Sequence, residues 1–304
     1  MEYCLTTNAL SKHYKNYKAL NNLSMHVPKG AIYGFVGKNG AGKTTLIRLI
    51  CGLQLPTLGE YTLYGVKNTD SRINNARRRM GAVIESPSIY MEATAQENIK
   101  EQYRVLGMPS FQGVDDLLKL VGLEGTGKKK AKNFSLGMRQ RLGIAIALCG
   151  EPDFLVLDEP INGLDPQGII EIRELILKLN RERQITVLIS SHILDELSRL
   201  ATHYGFIDKG SMVKEIEATA LEAACKKCIH LTVSDTILLC HALDKMGLEY
   251  QVLSEKEAEV YGTVKAAALV HALDAAGCEV ISIHEKNESL ENYYLNLIGG
   301  GANA

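Results

Sequence analysis

The sequence predicts an α/β protein with a parallel-sheet core, followed by a smaller α+β module. Three observations carry this. Residues 31–36 are apolar on both faces, as a strand inside a parallel sheet is, and run into a glycine-rich turn and a helical pattern. The apolar runs 154–157 and 186–190 flank a helical pattern over 169–183, the order of a βαβ unit. Beyond about residue 217 the character changes, and the pattern that follows repeats itself.

Each element has its own justification. The strand at 31–36 leads into Gly37 and a helix that begins near Lys43. Residues 94–150 are rich in helical periodicity and poor in β-branched runs, which predicts a helical insertion, with the subdomain covering about 86–150. The run 154–157 ends in Asp158 and Glu159, and the run 186–190 is followed by Ser191 and His192. Ligands of parallel sheets lie at the carboxyl ends of the strands, so these polar residues are expected to meet. In the remainder, His241-Ala242-Leu243-Asp244 matches His271-Ala272-Leu273-Asp274. Each copy reads strand, helix, strand: 229–233, 235–246 and 249–253, then 258–264, 265–276 and 279–284. That is the βαββαβ order of a split βαβ module. A last helix over 289–298 opens on a capping pattern with Asn292 where Glu or Gln is preferred. The expected division is therefore 1–217 and 218–304.

Composition narrows the function classes. The 304 residues carry 34 Lys+Arg against 35 Asp+Glu, a formal charge of -1, which gives no global attraction to nucleic acid or anionic lipid. An apolar share of 46% with 23% charged residues argues against disorder. The longest apolar runs fall far short of the ~18 residues a membrane span needs. The opening MEYCLTTNALSKHY lacks the apolar core of a secretory signal, so a soluble intracellular protein is expected. Seven scattered cysteines suit a reducing compartment. Cys225 and Cys228 have CxxC spacing with His230 behind them, but the ligand set of a zinc site is incomplete.

The chemistry concentrates in Gly37-Lys38-Asn39-Gly40-Ala41-Gly42-Lys43-Thr44, which fits G-x-x-x-x-G-K-[ST]. Glycines let the loop wrap with its N–H groups turned inward around a phosphate, and the following helix adds its positive end. Lys43 reaches the β- and γ-phosphates, and the Thr44 hydroxyl suits Mg²⁺. Thr45 continues the same turn. Asp158, at a strand end, is placed to hold Mg²⁺. Glu159 points differently and is the candidate to position or deprotonate the attacking water. His192, at the next strand end, can hydrogen-bond the γ-phosphate.

Joined to Phe134-Ser135-Leu136-Gly137-Met138-Arg139-Gln140-Arg141, Asn162-Gly163-Leu164-Asp165-Pro166 and Ser190-Ser191-His192, these motifs resemble the ATP-binding subunit of an ABC transporter over residues 2 to about 217. The resemblance implies a P-loop NTPase, RecA-like core and ATP hydrolysis with Mg²⁺. It makes Tyr14 the aromatic that stacks on adenine, with Tyr17 as the alternative. It also implies a head-to-tail homodimer in which Ser135 and Gly137 of one copy face the γ-phosphate held by the other, with Asp165 in the loop between. Ser135 can cap the helix that starts at Leu136, whose N–H groups and dipole favour an anion. The partner implied is a separate polytopic membrane permease, which would hold this chain peripherally on the cytoplasmic face. Cargo contacts would lie in that partner.

Leu136 and Met138 depart from the usual Gly and Gln of the signature. Glu85, in Ala82-Val83-Ile84-Glu85-Ser86-Pro87, stands where the family has the glutamine that links Mg²⁺ and the attacking water to the membrane partner, so the resemblance implies a catalytic, coupling role for it. A carboxylate can ligate Mg²⁺ but, ionised, donates no hydrogen bond. This Glu form, the SLGM signature and the ending 289–294 (SLENYY) resemble the bacitracin and lantibiotic self-protection exporters. The alternative is a soluble ABC-type ATPase acting on nucleic acid or ribosomes. The basic stretches Arg77–Arg79 and Lys128–Lys132 are short for that role, so no nucleic acid is expected. The C-terminal module shows core spacing, with Leu239, Leu243 and Met246 on one helical face and Leu269, Val270 and Leu273 on another, and no polar constellation.

Overall fold

A computed structural model of the chain describes residues 2–224, 227–262, 264–287 and 290–299. The chain divides into two compact units, Met1–Ala218 and Thr219–Ala304.

The first unit opens with two long strands, β1 (Tyr3–Tyr14) and β2 (Tyr17–Pro28), and continues through β3 (Ile32–Val36), α1 (Lys43–Ile50), β4 (Leu58–Leu63) and β5 (Val66–Lys67). Then come α2 (Ile73–Arg77) and β6 (Met80–Val83), followed by the helical stretch α3 (Ala95–Val105), α4 (Val114–Leu120) and α5 (Leu136–Ala147). The unit closes with β7 (Phe154–Asp158), α6 (Pro166–Arg183), β8 (Thr186–Ser191), α7 (Leu194–Ser198), β9 (His203–Asp208) and β10 (Ser211–Glu217). The core sheet has the order β10-β9-β3-β8-β7-β6. Its pairs β9·β3, β3·β8, β8·β7 and β7·β6 are parallel, and β10 is antiparallel to β9. Every residue of β3, β7 and β8 is buried, as their continuous apolar reading requires.

An antiparallel sheet, β2-β1-β4-β5, covers α1, with Leu5, Leu23, Met25, Leu46, Ile47 and Leu63 in one apolar cluster. Sequence reading gave no strands over 3–28. The reason is visible in the ladder: the β1·β2 register shifts at four places, so the alternation that marks a strand is broken repeatedly.

The second unit begins with most of α8 (Ala218–Ala224) and holds β11 (Lys227–Val233), α9 (Thr236–Met246), β12 (Glu249–Val252), β13 (Glu257–Tyr261), α10 (Ala266–Ala275), β14 (Val280–Asn287) and α11 (Leu290–Gly299). Its sheet has the antiparallel order β12-β13-β11-β14. The βαββαβ order is therefore the one the repeat predicts. Leu239, Leu243, Leu269 and Leu273 pack onto Ile229, Leu231 and Val260, while Met246 packs at the margin. Asp235 caps α9 by accepting from the N–H groups of Ile237 and Leu238. Ser289, the expected start of the last helix, and Cys225 lie outside the described residues. Cys228 is buried on β11. Among the described residues no three His, Cys, Asp or Glu side chains gather as a metal site would need, and no helix is long and apolar enough to cross a membrane.

Candidate nucleotide site

The cradle is built by a strand that cannot bend and a loop that must. After buried β3 the chain turns through Gly37–Gly42 into α1, with Gly40 at φ 81° and Gly42 at φ 111°. A side chain at Gly42 would start 2.5 Å from the carbonyl oxygen of Ala19, and one at Gly37 would start 2.6 Å from Ile207. Glycine is thus required at both positions on conformation or space. Lys38, Asn39 and Gly40 are exposed at the rim, Ala41 is buried, and Thr45 is half-buried on the first turn of α1.

Lys43 is buried, and its ammonium donates to the carbonyls of Gly37 at 2.6 Å and Lys38 at 3.3 Å. Its third partner is Glu159 Oε1 at 3.2 Å. The Thr44 hydroxyl donates to Asp158 Oδ2 at 2.8 Å, and Ser190 Oγ donates to Asp158 Oδ1 at 2.5 Å. Asp158 is therefore a buried carboxylate met by two neutral hydroxyls. Ser190 also accepts from the backbone N–H of Glu159 at 3.0 Å, so one hydroxyl serves both acids. Sequence reading quoted Ser190 without a role; its position follows from the register that places it opposite Asp158. Glu159 sits at φ 49° and its Oε2 lies 2.9 Å from His192 Nδ1. The order β3-β8-β7 thus brings Lys43, Thr44, Asp158, Glu159 and His192 together at the strand ends, as the parallel-sheet rule requires.

The remaining expected residues fall at other places. Tyr14 hydrogen-bonds Gln54 and has the Lys12 ammonium 5.2 Å from its ring centre. Tyr17, the alternative aromatic, donates to the Gly40 carbonyl at 3.2 Å and is the one tied to the cradle. Ser135 caps α5, accepting from Met138 N–H at 3.2 Å, with Gly137 buried behind it. Leu136 lies against Gly163 of the same chain. Asp165 caps α6 by accepting from Gly168 N–H at 3.2 Å. The carboxylate of Glu85 is bonded by Arg48, one turn beyond Thr44 on α1. In the basic stretches, Lys130 and Lys132 pair with Glu92, and Arg79 lies 3.8 Å over the Tyr64 ring while bonding Asp153.

Comparison with known proteins places the chain in a family. The ABC transporter family model matches residues 20–162. The bacitracin transport ATP-binding protein BcrA of Bacillus licheniformis is 39% identical over 306 residues, covering 99% of each chain. The lantibiotic transport ATP-binding protein SrtF of Streptococcus pyogenes is 43% identical over 208 residues, 68% of this chain and 88% of its own. Among solved structures, cbiO1 from Clostridium perfringens, part of the transporter complex cbiONQ, superposes with a TM-score of 0.66 at 27% identity, over 73% of this chain and 92% of its own. The dimeric bacterial ABC transporter cassette MJ0796 gives 0.63 at 25% identity, over 70% and 98%. The chain therefore belongs to the ABC transporter family, as an ATP-binding and ATP-hydrolysing subunit.

Proposed function

We propose that two copies of this chain close on two ATP molecules and drive a separate membrane permease that exports a peptide antibiotic. The observation that carries this is the junction of Lys43, Asp158, Glu159 and His192, in a chain that matches a bacitracin transport ATP-binding protein along its whole length. The chain works at the cytoplasmic face of the membrane, attached through that permease.

Lys43 turns from its carbonyl partners to the β- and γ-phosphates, while the N–H groups of 37–44 line the anion. Asp158 and Thr44 fit Mg²⁺: the buried carboxylate is met by two hydroxyl donors, and this ion is commonly held by one carboxylate, a hydroxyl and substrate phosphates. Bound there, Mg²⁺ would neutralise charge developing on the phosphates. Glu159 accepts the proton of the attacking water as its oxygen bonds the γ-phosphorus, and the bond to the bridging oxygen breaks to release ADP. His192 holds Glu159 in position through Oε2 and faces the γ-phosphate. Ser135 and Gly137, at the positive end of α5, complete the site on a second copy. Asp165 fixes the α6 start beside them, and Tyr14 or Tyr17 stacks on adenine.

The test is to co-express the chain with a candidate polytopic membrane permease in a bacitracin-sensitive host. Tolerance to bacitracin or a lantibiotic should rise and should vanish with Glu159→Gln. Unchanged tolerance from an ATPase-active pair would overturn the cargo class.

A further inference from the structure

Arg48 stands on α1 at i+4 from Thr44, so both side chains occupy one face of the helix that leaves the cradle. Its guanidinium donates to the carboxylate of Glu85, just beyond β6. Since β6 neighbours β7, that segment lies beside the strand end carrying Asp158 and Glu159. Glu85 is held at φ 59°, a conformation a non-glycine residue adopts at a cost. Both residues line a cleft of about 370 Å³ whose other walls include Leu53, Ile84, Pro87 and Ile146. The loop is also pressed against α5, because a side chain at Gly143 would start 2.6 Å from the Pro87 ring.

We propose that Arg48 is the positioning residue that makes a glutamate workable at position 85. It neutralises the carboxylate, pins it to the cleft wall and keeps its charge off the phosphate site one helical turn away. An unneutralised carboxylate there adds repulsion to a triphosphate, and glutamine does not. Arg48 thereby ties the cleft, where Glu85 and Pro87 meet α5, to the helix that carries Thr44. The inference rests on the reading of 37–44 as the ATP cradle.

A double-mutant cycle tests it. Binding of a non-hydrolysable ATP analogue with Mg²⁺ is measured for the native chain, Arg48→Met, Glu85→Gln and the double variant. Steady-state kinetics run alongside. Arg48→Met should weaken binding about two- to fivefold in the native background, the scale of a half-exposed ion pair, and much less in the E85Q background. The loss should appear in KM more than in kcat, shrink at high salt and be largely rescued by Arg48→Lys. Equal penalties in both backgrounds, or no rescue by lysine, would overturn the proposal while leaving the cradle intact. A chain that binds no analogue in any of the four forms would instead remove the cradle reading itself. Arg48→Gln replaces the methionine variant should that one not fold.

Discussion

Glu159 is held from two sides, by Lys43 at Oε1 and by His192 at Oε2, and its backbone N–H is fixed by Ser190. A neutral glutamine keeps the shape but cannot take a proton from water. Glu159→Gln should therefore lower ATP turnover at least about a hundredfold while ATP still binds, as read by phosphate release and by equilibrium binding. Native turnover would remove Glu159 from the role of base. Lys43→Ala removes a buried charge with three partners, and analogue affinity should fall by about tenfold or more. At this scale the sequence was legible where a function depends on local spacing. The glycine cradle and the Asp158–Glu159 pair are contiguous residues. Ser190 and Arg48 act through strand register and tertiary approach, which spacing alone does not reveal.

The helices and strands show where conformation is forced. The α5 helix carries Ser135 at its start and Gly143 in its middle, and Gly143 leaves room only for the Pro87 ring. Gly143→Ala should cost about 1–3 kcal/mol by overpacking, measured by chemical denaturation, and Pro87→Ala should restore part of it. If the alanine variant matches the native chain, the contact at Pro87 is slack. Buried strands β3, β7 and β8 were plain in the sequence because both their faces are apolar. The first two strands were not, since bulges interrupt their alternation and their tips, such as Tyr14 to Tyr17, are polar and exposed.

As a whole molecule the chain divides near residue 218, and the cradle, Asp158, Glu159 and the capped α5 all fall in the first unit. Residues 1–218 expressed alone should fold and bind the ATP analogue with native affinity, checked by circular dichroism and titration; an unfolded product would refute this division as a folding boundary. That unit also contains Cys4, Cys51 and Cys149, whose thiols burial pushes up from 9.0 to about 12. Each binds its proton more tightly folded than unfolded, so the unfolded chain ionises first as pH rises. Stability should thus be full below about pH 9 and decline from there toward about 12, and iodoacetamide at pH 8 should spare these thiols until denaturant is added. Denaturation midpoints unchanged across that range would contradict it. The duplicated module was legible because its copies share a tetrapeptide, whereas the use the cell makes of it is not written in its core-spaced leucines.

The strand order β12-β13-β11-β14 has a final consequence. The first copy of the duplication supplies β11 and β12, and the second supplies β13 and β14, so every ladder joins a strand of one copy to a strand of the other. The copies are interlocked like clasped fingers, and neither has a hydrogen-bonding neighbour of its own. Protease nicking at the 254–256 turn should yield pieces that remain together under native conditions and, once parted, lose the sheet of the second unit while the two sheets of the first unit persist.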